Sequence, residues 1–79
     1  MRTLSDEREQ VLARRRAHRL AQNGRLTELR EASGLSQSDV ARFLGVSQPT
    51  VSLWEAGKLT PRAGHAAALL DLLEGGDAA

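Results

Sequence analysis

The chain contains no cysteine and very little histidine, with only His18 and His65 among its 79 residues. Without thiols it can form neither a disulfide nor a thiolate metal site, and this composition is typical of proteins that stay inside the cell. The two histidines are far apart in the sequence and no carboxylates are arranged around them, so we interpret both as solvated surface residues. We therefore expect a cytoplasmic protein that binds no metal and no other cofactor.

Long hydrophobic runs are also missing. The longest is Ala66–Leu70, and the first ten residues are rich in charge. We therefore expect no signal peptide and no membrane-spanning helix, which needs about 20 apolar residues. The sequence has no glycine-rich phosphate loop, metal-binding motif or nucleophile elbow, so an enzyme is not expected. The length fits one small domain, near the lower limit at which a hydrophobic core is self-sufficient.

Two short helical patterns separated by a glycine occupy the segment Gln37–Ala56. Val40 and Leu44 lie on one face of the first helix, and Val51 and Trp54 lie on the inner face of the second. These positions bring two steeply crossing helices into contact and leave a polar face of the second helix outward. The pattern is typical of a helix-turn-helix, which places its second helix in the DNA major groove. The alternative is an ordinary helical hairpin with no role in DNA binding.

Capping residues mark the predicted ends of these two helices. Ser36 is a good N-cap for the first helix, and Asp39 three residues later completes a capping box. Gly45 follows the first helix, where a left-handed backbone conformation is needed and glycine adopts it at least cost. Ser47 caps the second helix, and Pro49 is tolerated in its first turn because the N–H groups there have no helical partner.

Similar signals predict an all-α fold of four or five helices. The predicted helices cover about 5–22, 25–32, 36–44, 47–56 and 61–74. Ser5 caps the first helix, and Asn23-Gly24 either ends it or only bends one long helix that continues into the second. Thr60 caps the last helix, with Pro61 at its first position.

We divide the chain into a basic helical extension over residues 1–24, the helix-turn-helix domain over residues 25–75 and a flexible C-terminal tail over residues 76–79. The predicted core takes the inward apolar positions of the helices. It consists of Leu26, Leu29, Leu35, Val40, Leu44, Val46, Val51, Trp54, Leu59, Leu69, Leu70 and Leu73. Leu72 lies off the apolar face of the last helix and is a candidate residue for a subunit interface.

The two parts of the chain differ in charge. Residues 1–30 contain eight arginines and four acidic residues, for a net charge of +4, whereas residues 31–79 contain three basic and six acidic residues, for a net charge of −3. DNA affinity depends strongly on cationic contacts to phosphates. The predicted recognition helix has no basic residue, so the positive field lies in the N-terminal third of the chain.

The segment LTELREASGLSQSDVARFLGVSQPTVSLWEAGKLTP resembles the helix-turn-helix domain of the lambda repressor and Cro class, often called the XRE family. Its most specific motifs are L-R-E-x-x-G-L-S-Q, V-A-x-x-L-G-V-S-Q and W-E-x-G-x-x-x-P. The resemblance extends from about Leu26 to Leu73. It implies a compact, lambda-repressor-like bundle of four or five helices, here with an extra N-terminal helix, that binds operator DNA, usually as a dimer.

The resemblance also implies roles for individual residues. Gln48, at the start of the recognition helix, matches the principal base-reading glutamine, and a glutamine amide can bond both N6 and N7 of adenine. The other candidate base-reading residues are Pro49, Thr50, Ser52 and Leu53. The candidate phosphate-binding residues are Gln37 and Lys58, which match phosphate-contacting positions of the family, together with Ser47, Arg62, Arg15 and Arg19. Arg30 and Glu55 match a buried ion pair, and the alternative is two separate surface charges.

Leu53 and Pro49 depart from the polar or basic residues that many relatives have in the recognition helix. Leu53 either fills a gap beside Trp54 or contacts a thymine methyl group, which requires no charge. Pro49 has no N–H and no polar side chain, so it can read only shape or a methyl group. Direct readout by hydrogen bonds then depends on the three remaining polar residues of the set.

Many relatives carry a fifth helix at the end of the domain, whereas this chain has about 20 extra residues in front. At about 100° per residue, the apolar residues of the extension form one arc and three arginines form another face. The arc contains Ala13, Ala17, Leu20 and Ala21, and the basic face contains Arg8, Arg15 and Arg19. We expect the arc to cover core surface or to pair with a second subunit, and the basic face to lie along phosphates. The alternative is a solvated, partly frayed helix whose arginines pair with Asp6, Glu7 and Glu9.

Three functions remain open at this point. The leading hypothesis is a sequence-specific prokaryotic or phage transcriptional regulator, a Cro-like repressor that binds double-stranded operator DNA. One recognition helix reads too few base pairs to specify a genomic site, so we expect a homodimer on two half-sites. The second hypothesis is the antitoxin of a toxin–antitoxin system, in which the extension holds the toxin and the protein represses its own operon. The third is an adaptor that uses this fold to bind a protein.

Overall fold

The computed structural model describes residues 4–75, with side chains from Asp6 onward, and every regular element in this range is helical. The helices are α1 (Leu4–Gln22), α2 (Arg25–Ala32), α3 (Gln37–Leu44), α4 (Gln48–Glu55) and α5 (Ala63–Leu70), and a π-helical turn (Asp71–Gly75) continues α5. The prediction of an all-α fold is confirmed. Within the described range, no helix has both the length and the apolarity needed to cross a membrane.

The junction between α1 and α2 is a turn and not a bend in one long helix. Gly24 has φ 79°, in the left-handed region that glycine adopts without steric cost. The side chain of Asn23 accepts a hydrogen bond of 3.1 Å from the backbone N–H of Arg25, which stabilises the turn. The chain therefore changes direction here, and α2 packs against α1.

The predicted caps of the helix-turn-helix are confirmed. The Ser36 hydroxyl accepts a hydrogen bond from the Asp39 N–H at 3.0 Å, and the Asp39 carboxylate accepts one from the Ser36 N–H at 2.9 Å. The hydrogen bond from the Ser36 N–H is the main cause that lowers the pKa of Asp39, and the nearby Ser36 hydroxyl adds to it. Gly45 ends α3 with φ 70°, and the Ser47 hydroxyl accepts from the Thr50 N–H at 3.3 Å.

The ends of the outer helices differ from the prediction. Ser5 lies inside α1 and does not cap it, because the helix already includes Leu4. The last helix begins at Ala63, two residues after Pro61, and Pro61 is buried in an extended segment before it. Thr60 is not a helix cap either, since Arg62 occupies the N-cap position of α5. Oγ1 of Thr60 instead lies 3.2 Å from Nδ1 of His18 in α1.

The core lies where all five helices meet. Its buried residues are Ala21, Leu26, Val40, Ala41, Val51, Trp54, Leu69 and Leu73, and the partly buried residues around them are Leu20, Leu29, Leu35, Leu44, Val46 and Leu72. The prediction for Leu59 was wrong, because this residue lies in the loop after α4 and its side chain is 45% exposed. Leu72 packs partly against the core, and His65 is half-buried with its ring 5.9 Å from that of Trp54, so neither is a free surface residue.

α1 packs along α5 over a large contact, as the apolar arc of the sequence predicted. Ala17 is fully buried and Ala21 is 8% exposed, so small side chains allow the two helices to approach closely. On the neighbouring side of α1, the guanidinium of Arg16 donates two hydrogen bonds, of 2.6 and 2.5 Å, to the carboxylate of Glu74 in the π-helical turn. These contacts contradict the alternative of a frayed, solvated helix.

Replacing Ala17 with leucine tests this packing. The larger side chain cannot fit at a fully buried position without displacing α1, so we expect the free energy of unfolding to fall by about 1–3 kcal/mol in urea denaturation. Ala68→Leu is the matched control, because Ala68 is exposed on α5 and the same change there has room. Equal stability of the two variants would contradict the packing of α1 on the core.

Candidate nucleic-acid interface

The recognition helix α4 has one buried face and one face open to solvent. Val51 and Trp54 are 1% and 2% exposed and hold the inner face on the core. On the outer face Gln48 and Pro49 are exposed, Leu53 is 42% exposed, and the side chains of Thr50 and Ser52 are half-buried. All five candidate base-reading residues thus have some surface available to a ligand, most of it at the N-terminal end of α4.

A direct hydrogen bond orients Gln48. Its Nε2 donates to Oε1 of Gln37 at 2.7 Å, which links the first turn of α4 to the first turn of α3. The Gln37 amide is itself held, since its Nε2 donates to Oε1 of Glu55 at 3.1 Å. Because Gln37 is fixed at both ends of its amide, the orientation of Gln48 depends on a residue at the opposite end of α4.

Glu55 lies at the centre of this network. Arg30 donates to its two carboxylate oxygens at 2.6 and 3.3 Å, and Thr27 donates at 3.0 Å. Arg30 also donates to the backbone carbonyl of Leu35 at 2.8 Å. The side chains of the ion pair are only 12% and 7% exposed, so Arg30 and Glu55 form a largely buried pair and not two separate surface charges.

Burial and hydrogen bonding act on these charges in opposite directions. Burial alone would raise the pKa of Glu55, but the hydrogen bonds from Arg30, Gln37 and Thr27 favour the carboxylate and together lower the pKa. The hydrogen bond to Glu55 raises the pKa of Arg30, so the guanidinium stays charged. Both groups are therefore ionised throughout the neutral range.

Only some of the hydrogen bonds around Glu55 could be predicted from the sequence. The ion pair of Arg30 and Glu55 was expected from the family resemblance, whereas the bonds from Thr27 to Glu55 and from Gln48 to Gln37 were not. Thr27 lies three residues before Arg30 and so on the same face of α2, which is a local signal for a shared partner. The contact between Gln37 and Gln48 depends on the crossing of α3 over α4, which no local pattern gives.

The candidate phosphate-binding residues surround α4 on different elements. Ser47 is exposed at its N-terminus, and Lys58 is exposed in the loop that follows, where its N–H donates to the carbonyl of Leu53 at 3.0 Å. Arg62 is exposed just before α5, and Arg15 and Arg19 are exposed on α1. Among residues 6–75 the ion pairs involve Arg16, Arg25 and Arg30, so the four cations of this set have no acidic partner there. The Ser47 hydroxyl shares a hydrogen bond of 2.8 Å with the hydroxyl of Thr50.

The ion pair predicts a specific pH dependence of stability. Because the pKa of Glu55 is lower in the folded than in the unfolded protein, its contribution is complete above the ordinary value of 4.5 and is lost as the pH falls further. In Glu55→Gln the unfolding free energy at pH 7 should fall by about 3 kcal/mol, since Arg30 loses its counter-charge, and the decline in acid should be smaller.

Urea denaturation at neutral and acidic pH measures both effects. Glu28→Gln is the control, because it breaks an exposed ion pair with Arg25 and should cost less than about 1 kcal/mol. A Glu55→Gln variant as stable as Glu28→Gln, with the acid-dependent decline of the wild type, would show that the buried pair has no such role.

Comparison with known proteins agrees with this geometry. A family model described as a helix-turn-helix domain matches residues 24–79, which is more than two thirds of the chain and starts at the turn between α1 and α2. No curated protein and no solved structure gives a significant match. The matched segment contains the capped pair α3 and α4 and the buried ion pair beneath them. The resemblance found in the sequence is thus confirmed, and the chain belongs to the family of helix-turn-helix domains, of the XRE type.

Proposed function

We propose that the protein is a sequence-specific transcriptional regulator, and that it acts as a Cro-like repressor by binding operator DNA with α4 in the major groove. The observation that supports this most directly is the position of Gln48. It is exposed at the N-terminal end of α4, the end that reaches base edges in this type of domain, and its amide is oriented by Gln37.

The hydrogen bonds that Gln48 still has available match an adenine. A glutamine amide has two N–H donors and one carbonyl acceptor. One N–H is used by Gln37, which leaves one donor for N7 and the carbonyl for the N6 amino group of the base. Leu53, at 42% exposure on the same outer face, offers an apolar surface for a thymine methyl group. Thr50, Ser52 and Pro49 complete the proposed base-reading surface.

The phosphate contacts in this proposal come from residues that surround α4 on neighbouring elements. Gln37 and Ser47 lie at its N-terminal side, and Lys58 and Arg62 lie in or after the loop at its C-terminal side. Arg15 and Arg19 of α1 add two further cations. Such contacts fix the register of a domain on DNA and supply most of the salt-dependent affinity, while the base contacts give specificity.

We also propose that the protein binds its operator as a homodimer. One α4 of eight residues contacts only a few base pairs, and a genome contains many such short matches. Two copies on half-sites about one helical turn apart read twice the sequence, which gives the discrimination that a regulator needs.

Selection of binding sites from random DNA, followed by affinity measurements on the enriched site, tests the proposal. Gln48→Ala should weaken binding by roughly 1–3 kcal/mol and relax the preference at one base pair of each half-site. Phe43→Ala is the control, since this side chain is 67% exposed on α3 and has no proposed contact to DNA. Thermal unfolding of both variants checks that they fold. If the wild-type protein enriches no sequence, the proposed function is wrong.

A further inference from the structure

An open cleft separates α1 from the segment that leads into α5. Its volume is about 430 Å³, and it is lined by Val11, Arg14, Arg15 and His18 of α1 together with Thr60 and Ala63. One wall is thus the part of α1 that carries Arg14 and Arg15, and the other is the end of the loop that follows α4. His18 and Thr60 connect the two walls, because Nδ1 of His18 lies 3.2 Å from Oγ1 of Thr60.

The cleft contains two positively charged side chains that form no ion pair with an acidic residue of the described chain. Arg14 and Arg15 are both exposed, and neither takes part in an ion pair among residues 6–75. No acidic side chain lines the cleft. Two neighbouring guanidinium groups repel each other, so an anion placed between them gains from both charges. Arginine forks match the geometry of phosphate oxygens and can donate two parallel hydrogen bonds to them.

The cleft adjoins the C-terminal end of the recognition helix. The loop folds back on α4 through hydrogen bonds from the N–H groups of Lys58 and Leu59 to the carbonyl of Leu53, at 3.0 and 3.3 Å. The same loop contacts α1, since a Cβ added at Gly57 would lie 3.5 Å from Nε2 of Gln22. When the N-terminus of α4 points at base edges, its C-terminal end and this loop leave the groove beside the phosphate backbone.

We propose that this cleft binds a backbone phosphate of the operator DNA, next to the half-site read by α4. The guanidinium groups of Arg14 and Arg15 hold the phosphate oxygens, and Thr60 and His18 position the loop against α1. The inference rests on the proposed function, because the bound phosphate belongs to the DNA that α4 contacts. It deepens that function by assigning part of the affinity to a site that lies between α1 and the helix-turn-helix.

Such a site would supply affinity that the segment Gln37–Ala56, with its net negative charge, cannot supply alone. The segment from Gln37 to Ala56 contains one basic residue, Arg42, and two acidic residues, Asp39 and Glu55. A net negative segment is repelled by DNA unless cations nearby contact phosphates. The cleft places two arginines next to this segment on a helix that is packed on the core.

Two variants with the same change of charge test the proposal on the enriched operator. Arg14→Gln removes one charge from the cleft, and Arg42→Gln removes one charge from an exposed position on α3 outside it. Affinity is measured between about 50 and 200 mM salt, where each lost phosphate contact reduces the slope of log K against log salt by roughly 0.9. We expect this reduction for Arg14→Gln, about twice as much for Arg14→Gln/Arg15→Gln, and no change of sequence preference. Arg42→Gln should keep the wild-type slope.

Neutral methylphosphonate groups placed one at a time along the operator then locate the contact. The wild-type protein should lose affinity at one position flanking each half-site, and Arg14→Gln/Arg15→Gln should lose no more when that same position is neutral. Equal salt slopes for Arg14→Gln, Arg42→Gln and the wild type would overturn the cleft site. If Gln48→Ala still weakens binding and relaxes the preference at one base pair in that case, the proposed function stands and only the cleft is wrong.

Discussion

The carboxylate of Glu55 is the interaction on which the geometry of the domain depends. It is 7% exposed and belongs to α4, while its donors come from α2 and α3. A buried charge is tolerated only when its hydrogen bonds are satisfied, so the three helices must keep one arrangement for this carboxylate to stay ionised. Within the described residues no buried side-chain nitrogen or oxygen lacks a partner. The angle of α4 is therefore set by polar contacts as well as by the apolar core.

In the proposed function, specificity and affinity arise on different elements of this small protein. The exposed surface of α4 is uncharged, and its principal polar residue, Gln48, is held by Gln37. Five of the eleven basic residues lie on α1, which packs on α5 and has its own bidentate ion pair to Glu74. Because the proposed base-reading residues and the cations lie on different helices, a change in the groove-facing residues of α4 should alter which sequence is preferred without altering the charge that attracts DNA.

The sequence predicted well what short-range chemistry decides. The ends of α3 and α4 follow from capping side chains within three residues of each helix start, and these were correct. The start of α5 was predicted too early, because Pro61 is compatible with a first helical turn but is instead buried in the approach to the helix. Leu59 was assigned to the core from its hydrophobicity alone, and its exposure depends on a loop path that folds back onto Leu53. The bonds around Glu55 required the crossing of three helices, which no local pattern contains.

In the proposed DNA complex, the apolar arc of α1 has a consequence for the kinetics and heat of binding. Ala17 and Ala21 fix this helix on the core in the free protein, so Arg14 and Arg15 emerge from a backbone that is already ordered. A basic arm that folds only on contact loses conformational entropy at that moment and shows a large change in heat capacity. Here only the side-chain rotamers of the arginines remain to be ordered on binding. The association rate should therefore be governed by electrostatic steering. The binding enthalpy and entropy should contain little contribution from folding of α1.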